Sequence, residues 1–271
     1  MKKKSKAVLE SAGWIDSHCH FDFPDFDPDR DQEWQLAQQQ GICGLIIPGI
    51  SRQQGQGLAT LCQQRPWLYA LGLHPYFLSQ HQQTDLDWLD AALHHARGSD
   101  DGLVAVGEFG LDFRKHTSEA ERRVQLELFD AQLQLAKQHR LPVILHGVGA
   151  HDQIATAIRR TGFAHGGVVH AFNGSEQQAR RYLELGFKLG LGGLYLSDRA
   201  LKLQRTVDAL PVDSWLLETD APDMTPRMWP HRRNSPRLIP LLAEHLAQAK
   251  GISTAELQSL QRDSLTSLLI L

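Results

Sequence analysis

The sequence predicts an α/β chain folded as a single (β/α)8 TIM-type barrel with an additional C-terminal helix. From Gly13 onward, short apolar runs alternate with longer segments of helical period, the rhythm of a parallel sheet. Eight such runs are present, and 271 residues suit one barrel of about 250 residues. No break in composition divides the chain, so one domain spanning 1–271 is expected, with the lysine-rich residues 1–12 as a flexible extension.

The strands are read in order at Trp14–Ser17, Ile42–Pro48, Leu68–Leu73, Leu103–Gly107, Pro142–Leu145, Gly167–Val169, Phe187–Leu191 and Trp215–Glu218, each a short apolar run. Helices are expected between them at Asp29–Gln40, Arg52–Gln64, Asp85–Arg97, Glu119–His139, His151–Thr161, Glu176–Leu185 and Asp198–Leu210. Two more follow the last strand, at Pro236–Lys250 and Thr254–Leu269. The fourth helix shows the broadest apolar stripe, from Val124, Leu126, Leu128, Phe129, Leu133, Leu135 and Ala136, and is expected to pack on the outside of the barrel. Ser235-Pro236 reads as an N-cap followed by proline at the first helical position. The glutamine-rich stretches Gln32–Gln40 and Gln53–Gln64 read as solvated helix faces.

Composition excludes several classes. Hydrophobic residues make up 42% and charged residues 22%, as in globular domains rather than disordered chains. No apolar run approaches the roughly 20 residues of a membrane span, and no apolar stretch of a secretory signal follows the N-terminal lysines. Cys19, Cys43 and Cys62 form no C-x-x-C pair, which fits a reducing cytoplasm. The net charge of −3 argues against a protein coated in basic surface, so any nucleic-acid contact is local. No segment signals an obligate protein partner.

Metal-binding residue types recur at strand ends: His18 and His20, His74, Glu108, His146, His170 and Asp220. In a parallel barrel these ends share one face, where barrel enzymes build their active sites. His18 and His20 stand at i and i+2 of an extended segment, so both imidazoles point to one side and can grip one ion. Each of these residues taken alone has a plainer reading as a hydrogen-bonded histidine or a capping carboxylate; together they point to a metal site. The loop after the last strand carries Arg227, Arg232 and Arg233 with Trp229, a pattern suited to phosphate contact and base stacking, or else to a solvated loop whose tryptophan packs on the barrel rim. His81, His94, His95, His116, His139 and His245 are expected at the surface without a role.

The segments Asp16-Ser17-His18-Cys19-His20-Phe21-Asp22, Gly72-Leu73-His74-Pro75, Gly107-Glu108-Phe109-Gly110-Leu111-Asp112, Leu141-Pro142-Val143-Ile144-Leu145-His146 and Glu218-Thr219-Asp220-Ala221-Pro222 together resemble the TatD family of metal-dependent deoxyribonucleases and related hydrolases. The resemblance runs from about Trp14 to Pro236. It implies two divalent cations, with Glu108 matching the bridging carboxylate, His18, His20 and Asp220 completing one ion, and His146 and His170 the other. It also places His74 near the substrate. Such mixed imidazole and carboxylate ligands suit Zn²⁺, Mn²⁺ or Fe²⁺ better than Mg²⁺. Four positive charges against the carboxylates of Glu108 and Asp220 leave a formally +2 site suited to an anionic substrate such as the phosphodiester of DNA, with Asp220 placed to orient or deprotonate the attacking water. The expected activity is a deoxyribonuclease trimming DNA ends. The same barrel also serves small-molecule amide, ester or lactone hydrolysis, and a non-catalytic metal-binding scaffold is a third reading, disfavoured by the presence of Asp220 alongside the other ligands.

The chain departs from the family pattern at His146-Gly147-Val148-Gly149, where serine and arginine commonly follow the histidine, and at His170-Ala171-Phe172-Asn173-Gly174. The first departure removes a phosphate contact and motivates the small-molecule alternative.

Overall fold

In the computed structural model, which describes residues 3–99, 102–229 and 233–269, eight parallel strands are hydrogen-bonded in chain order. They are β1 (Trp14–Asp16), β2 (Ile42–Pro48), β3 (Trp67–Leu71), β4 (Leu103–Asp112), β5 (Val143–Val148), β6 (Gly167–Val169), β7 (Phe187–Leu191) and β8 (Trp215–Leu217). Helices α2 (Arg30–Gln39), α3 (Arg52–Cys62), α4 (Thr84–Gly98), α5 (Glu119–His139), α6 (His151–Thr161), α7 (Glu176–Glu184) and α8 (Leu201–Ala209) connect successive strands, and α9 (Ile239–Lys250) and α10 (Thr254–Leu269) follow β8. The edges β1 and β8 meet through the Ser17 N–H, which donates to the Leu217 carbonyl at 3.1 Å. Beyond the strands the same seam continues: the Asp220 N–H donates to the His18 carbonyl at 2.9 Å and the His20 N–H to the Ala221 carbonyl at 2.8 Å. The result is a (β/α)8 barrel with α10 as its additional helix. Among the described residues no helix is long and apolar enough to cross a membrane.

The two-residue period of the strands sorts their side chains into two cores. Ile46, Leu68, Ala70, Val104, Ile144, Val168 and Leu216 fill the barrel interior, while Leu45, Ile47, Trp67, Tyr69, Val143, Leu145, Trp215 and Leu217 face the helices. Residues 3–9, expected within a flexible extension, instead form α1 (Lys3–Leu9), and Val8 and Leu9 join the interior core beside Leu265 and Leu268 of α10. The lysines at the start hid an apolar pair that closes one end of the barrel.

β4 and β5 run further than expected, to Asp112 and Val148. The register of β4 against β5 shifts between Val106 and Phe109, where the apolar run breaks at Gly107, and pairing resumes beyond it. Gly107 (φ +138°) and Gly110 (φ +155°) make this possible: a Cβ there would lie 2.4 Å from the Ile144 carbonyl oxygen and 1.9 Å from that of His146, respectively.

On α5 the buried stripe is Gln125, Phe129, Gln132, Leu133 and Ala136, while Val124, expected in the stripe, is 43% exposed. The glutamines turn inward because irregular strand ends leave backbone groups without a ladder partner. Gln132 accepts from the Leu73 N–H at 2.7 Å and donates to the Leu73 carbonyl at 3.0 Å, and Gln125 does the same for Asp112 at 2.8 and 3.2 Å. Gln261 of α10 bridges the Leu217 N–H and the Trp215 carbonyl. Ser235 caps as expected, but through a single 3-10 turn, Pro236–Leu238, that precedes α9.

Candidate metal centre

The segment carrying His18 and His20 is pinned from three sides. Asp16 Oδ1 accepts from the His18 and Thr219 N–H groups, and Oδ2 accepts from the Thr219 hydroxyl at 2.5 Å. Burial pushes the Asp16 carboxyl up to about 8 against the pull of these donors. Arg30 of α2 donates to the carbonyls of Phe21, Asp22 and Phe23 and to Asp27, clamping the loop just beyond His20. From the opposite side, Asp220 (φ +57°) and Ala171 (φ +44°) hold left-handed backbone conformations next to the cluster, an arrangement that costs about 1–3 kcal/mol each and is concentrated at functional sites.

Glu108, 2% exposed, lies at the centre, and its two oxygens face different partners. Oε2 lies 3.3 Å from His18 Nε2 and 3.4 Å from His20 Nε2, and Asp220 Oδ1 is 3.5 Å from both of those nitrogens. Oε1 lies 3.2 Å from His146 Nδ1, 3.1 Å from His170 Nε2 and 3.0 Å from His74 Nε2. Ligand atoms held tetrahedrally about 2.1 Å from one cation are about 3.4 Å apart, so the spacing on the Oε2 side is that of a shared ion. His18 Nε2 is buried and makes no hydrogen bond despite this proximity, a donor atom aimed into the cluster without a protein partner. The residues therefore fit divalent cations.

His74 differs from the other histidines. Its Nδ1 accepts the Tyr76 N–H at 3.0 Å, so its Nε2 carries the proton and donates to Glu108 Oε1. Burial lowers it to about 4, which keeps the ring neutral. Distance groups it with the metal-binding atoms; its tautomer makes it a hydrogen-bond donor to the central carboxylate.

Burial opposes charge throughout the cluster, and the sign of each shift depends on the neighbours. Glu108 is held well below the usual carboxylate range because His74, His170 and His18 outweigh its desolvation. Burial lowers His170, but Glu108 and Asp220 more than reverse this and hold it well above its ordinary value. His18, stacked on His170 at 3.9 Å, is driven well below by burial and by that neighbour. For His20 and His146, carboxylate partners overcome burial and raise both. Asp220 is pushed up to about 6 by burial, against the pull of His170 and His20.

A mouth of about 320 Å³ opens onto these groups. The family model for TatD related DNase matches residues 15–269, almost the whole chain. The chain belongs to the TatD family. It is 43% identical over 212 residues to the uncharacterized metal-dependent hydrolase YjjV of Escherichia coli, covering 78% of this chain and 80% of that one. It is 35% identical over 236 residues to the 3'-5' ssDNA/RNA exonuclease TatD of Erwinia billingiae, covering 83% of this chain and 87% of that one. The crystal structure of YjjV superposes with a TM-score of 0.89 at 36% identity, covering 95% of this chain and 98% of that one. Metal-dependent hydrolysis is thus the chemistry of this TatD-family chain.

In this TatD-family barrel the structure brings His18, His20, His74, Glu108, His146, His170 and Asp220 together. It does not bring Trp229, Arg227 or Arg233 of the post-β8 loop to them. Trp229 is partly buried against the core and donates to the Arg233 carbonyl at 3.3 Å. Arg233 forms a two-pronged ion pair with Asp29, at 2.8 and 2.9 Å, and covers the Phe26 ring. Both side chains anchor the loop, and neither lines the mouth. Arg227 is exposed and lines a separate cavity of about 570 Å³ with Leu194 and Met224. Arg232 lies outside the described residues. Three histidines expected at the surface are engaged: His81 Nε2 pairs with the His74 carbonyl at 2.9 Å, His139 is buried against Asp90 at 2.6 Å, and His245 Nδ1 pairs with the Leu241 carbonyl at 2.9 Å.

Sequence reasoning missed the residues behind the cluster. Asp112 Oδ2 holds His146 Nε2 at 3.2 Å, fixing the ring so that Nδ1 faces Glu108. Glu218 accepts the Ala171 N–H at 2.6 Å and stands 3.4 Å from His170 Nδ1. Both follow or precede a recognised motif residue by a few positions, so a search for a carboxylate behind each histidine would have found them.

Proposed function

We propose that this chain hydrolyses phosphodiester bonds at the ends of DNA strands, in the cytoplasm, with two divalent cations held on either side of Glu108. The observation that carries the reading is the division of Glu108 between two donor sets: Oε2 with His18, His20 and Asp220, and Oε1 with His146 and His170. The name of the Erwinia relative, a 3'-5' ssDNA/RNA exonuclease, supports a nucleic-acid substrate. The three free thiols suit a reducing compartment.

When bound, the cations supply Lewis acidity: they polarise a phosphoryl oxygen and make water a better nucleophile near neutral pH. The protein groups do the rest. Asp220, 15% exposed at its side chain toward the mouth, takes the proton of the attacking water. His74 donates from Nε2 to Glu108 Oε1 and fixes the carboxylate between the two donor sets. Asp112 orients His146, and Glu218 holds the backbone of the segment that carries His170. Water adds to phosphorus, the P–O bond to the leaving nucleoside breaks, and the products are a phosphate monoester and an alcohol.

The test is a screen of Mn²⁺- and Zn²⁺-loaded protein against single-stranded DNA, simple phosphodiesters and lactones. Cleavage of strand ends is expected. Turnover of lactones or esters with none of any phosphodiester would replace this reading with the small-molecule one.

A further inference from the structure

An aromatic and a cationic group, which Trp229 and Arg233 do not bring to the mouth, are supplied from another side. Tyr76 and Arg114 both line the mouth over Glu108, His146 and His170. At 61%, Tyr76 has the greatest fractional exposure of the large apolar side chains among the described residues. An aromatic ring left this open gives up a large burial gain, yet its position is fixed: its N–H is bound to His74 Nδ1, and the neighbouring Phe77 ring meets it edge-on at 5.2 Å. The Arg114 guanidinium lies 5.0 Å from the centre of the Tyr76 ring, stacking cation and aromatic. One of its amino groups pairs with Asp112 at 3.0 Å; the side chain remains 54% exposed. A guanidinium has five N–H donors, so this ion pair leaves most of them for another acceptor. Among the described residues that line the mouth, Arg114 is the one lysine or arginine. The adjoining strand offers no substitute, because Asp112 is in register with Val148, flanked by Gly147 and Gly149.

Resting on the nuclease reading above, we propose that Tyr76 and Arg114 form a nucleotide platform at the rim of the metal centre. The stack of ring and guanidinium receives the planar face of a nucleobase, and the free N–H groups of Arg114 receive the adjacent phosphate. Planar π surfaces and arginine planes are the elements by which proteins hold single-stranded bases without reading their sequence. The platform makes the substrate a nucleotide chain with an unpaired end, since a base inside a duplex has no free face to offer. Asp112 links the platform to the centre, pairing with Arg114 on one side and with His146 Nε2 on the other.

The test compares binding of two phosphorothioate-linked oligothymidylates to Mn²⁺-loaded protein by fluorescence anisotropy, one intact and one with abasic terminal positions. Wild-type protein is expected to prefer the intact strand by about tenfold, the usual order for stacking one base. Tyr76→Ala is expected to bring that ratio close to one, and Tyr76→Phe to keep it. Arg114→Ala should weaken binding of both strands and reduce the dependence of log K on log salt by about 0.7, the share of one phosphate contact on a single strand. An unchanged intact-to-abasic ratio in Tyr76→Ala, in protein that still cleaves DNA ends, would overturn the platform and leave the nuclease reading standing. Wild-type protein that turns over lactones and neither binds nor cleaves any strand would overturn both.

Discussion

Replacing Asp220 by Asn separates its proposed role as base from its proposed role as ligand. Asn tolerates the left-handed backbone that Asp220 adopts at φ +57°, so the change adds no backbone strain. It keeps an oxygen at the position 3.5 Å from His18 Nε2 and His20 Nε2, and those imidazoles together with Glu108 Oε2 still provide three protein ligands, a set that suffices for catalytic zinc. What is lost is the proton acceptor facing the mouth and one negative charge. Burial pushes the Asp220 carboxyl up to about 6, and bound cations pull it back toward the charged form that accepts a proton. Removing such a base lowers kcat by about two to four decades, equivalent to about 3–5 kcal/mol of barrier, while KM changes little. The assay is single-turnover hydrolysis of a short single strand at saturating cation, with occupancy measured in each variant. His94→Asn on α4, at an exposed position, is the control; His81 is unsuitable because it holds the His74 carbonyl. Near wild-type turnover in fully loaded Asp220→Asn protein would remove Asp220 from proton transfer and leave it a ligand only.

Gln132→Ala leaves the Leu73 N–H and carbonyl unpaired in a buried site and should cost about 2–5 kcal/mol in urea unfolding; a loss below about 1 kcal/mol would contradict the clamp. Cation binding should release protons near neutral pH, because His20, His146 and His170 are raised above their ordinary value and must lose their protons to act as ligands. Apparent affinity therefore rises with pH until it passes those raised values, and titration calorimetry in buffers of different ionisation enthalpy reads the release; a heat independent of buffer at pH 6.5 would refute it.

Much of this architecture is legible in one sequence because the helix and strand periods differ and because residue types able to bind metal fall at strand ends. His18 and His20 announce themselves by their spacing, and His146, Glu108 and Asp220 by following apolar runs. The missing parts share a physical cause. Gln125, Gln132 and Gln261 are polar residues buried to serve irregular backbone, and periodicity counts them as surface. Val8 and Leu9 lie behind lysines that suggested a loose end. The fate of Trp229 and Arg233 depended on Asp29 and Phe26, some 200 residues away in sequence, and no local pattern conveys such a partnership. Tyr76 is the reverse case, an apolar residue left exposed by its fixed turn, and nothing short of the three-dimensional arrangement sets it beside Arg114.

Glu108 is expected to hold one cation on each oxygen. Anomalous diffraction from crystals of the Mn²⁺- or Zn²⁺-loaded protein tests it directly. Two peaks about 3.5–4 Å apart are expected, one among His18, His20 and Asp220 and the other between His146 and His170, with Glu108 between them. A single peak at saturating metal, with Glu108 outside its ligand shell, would contradict it.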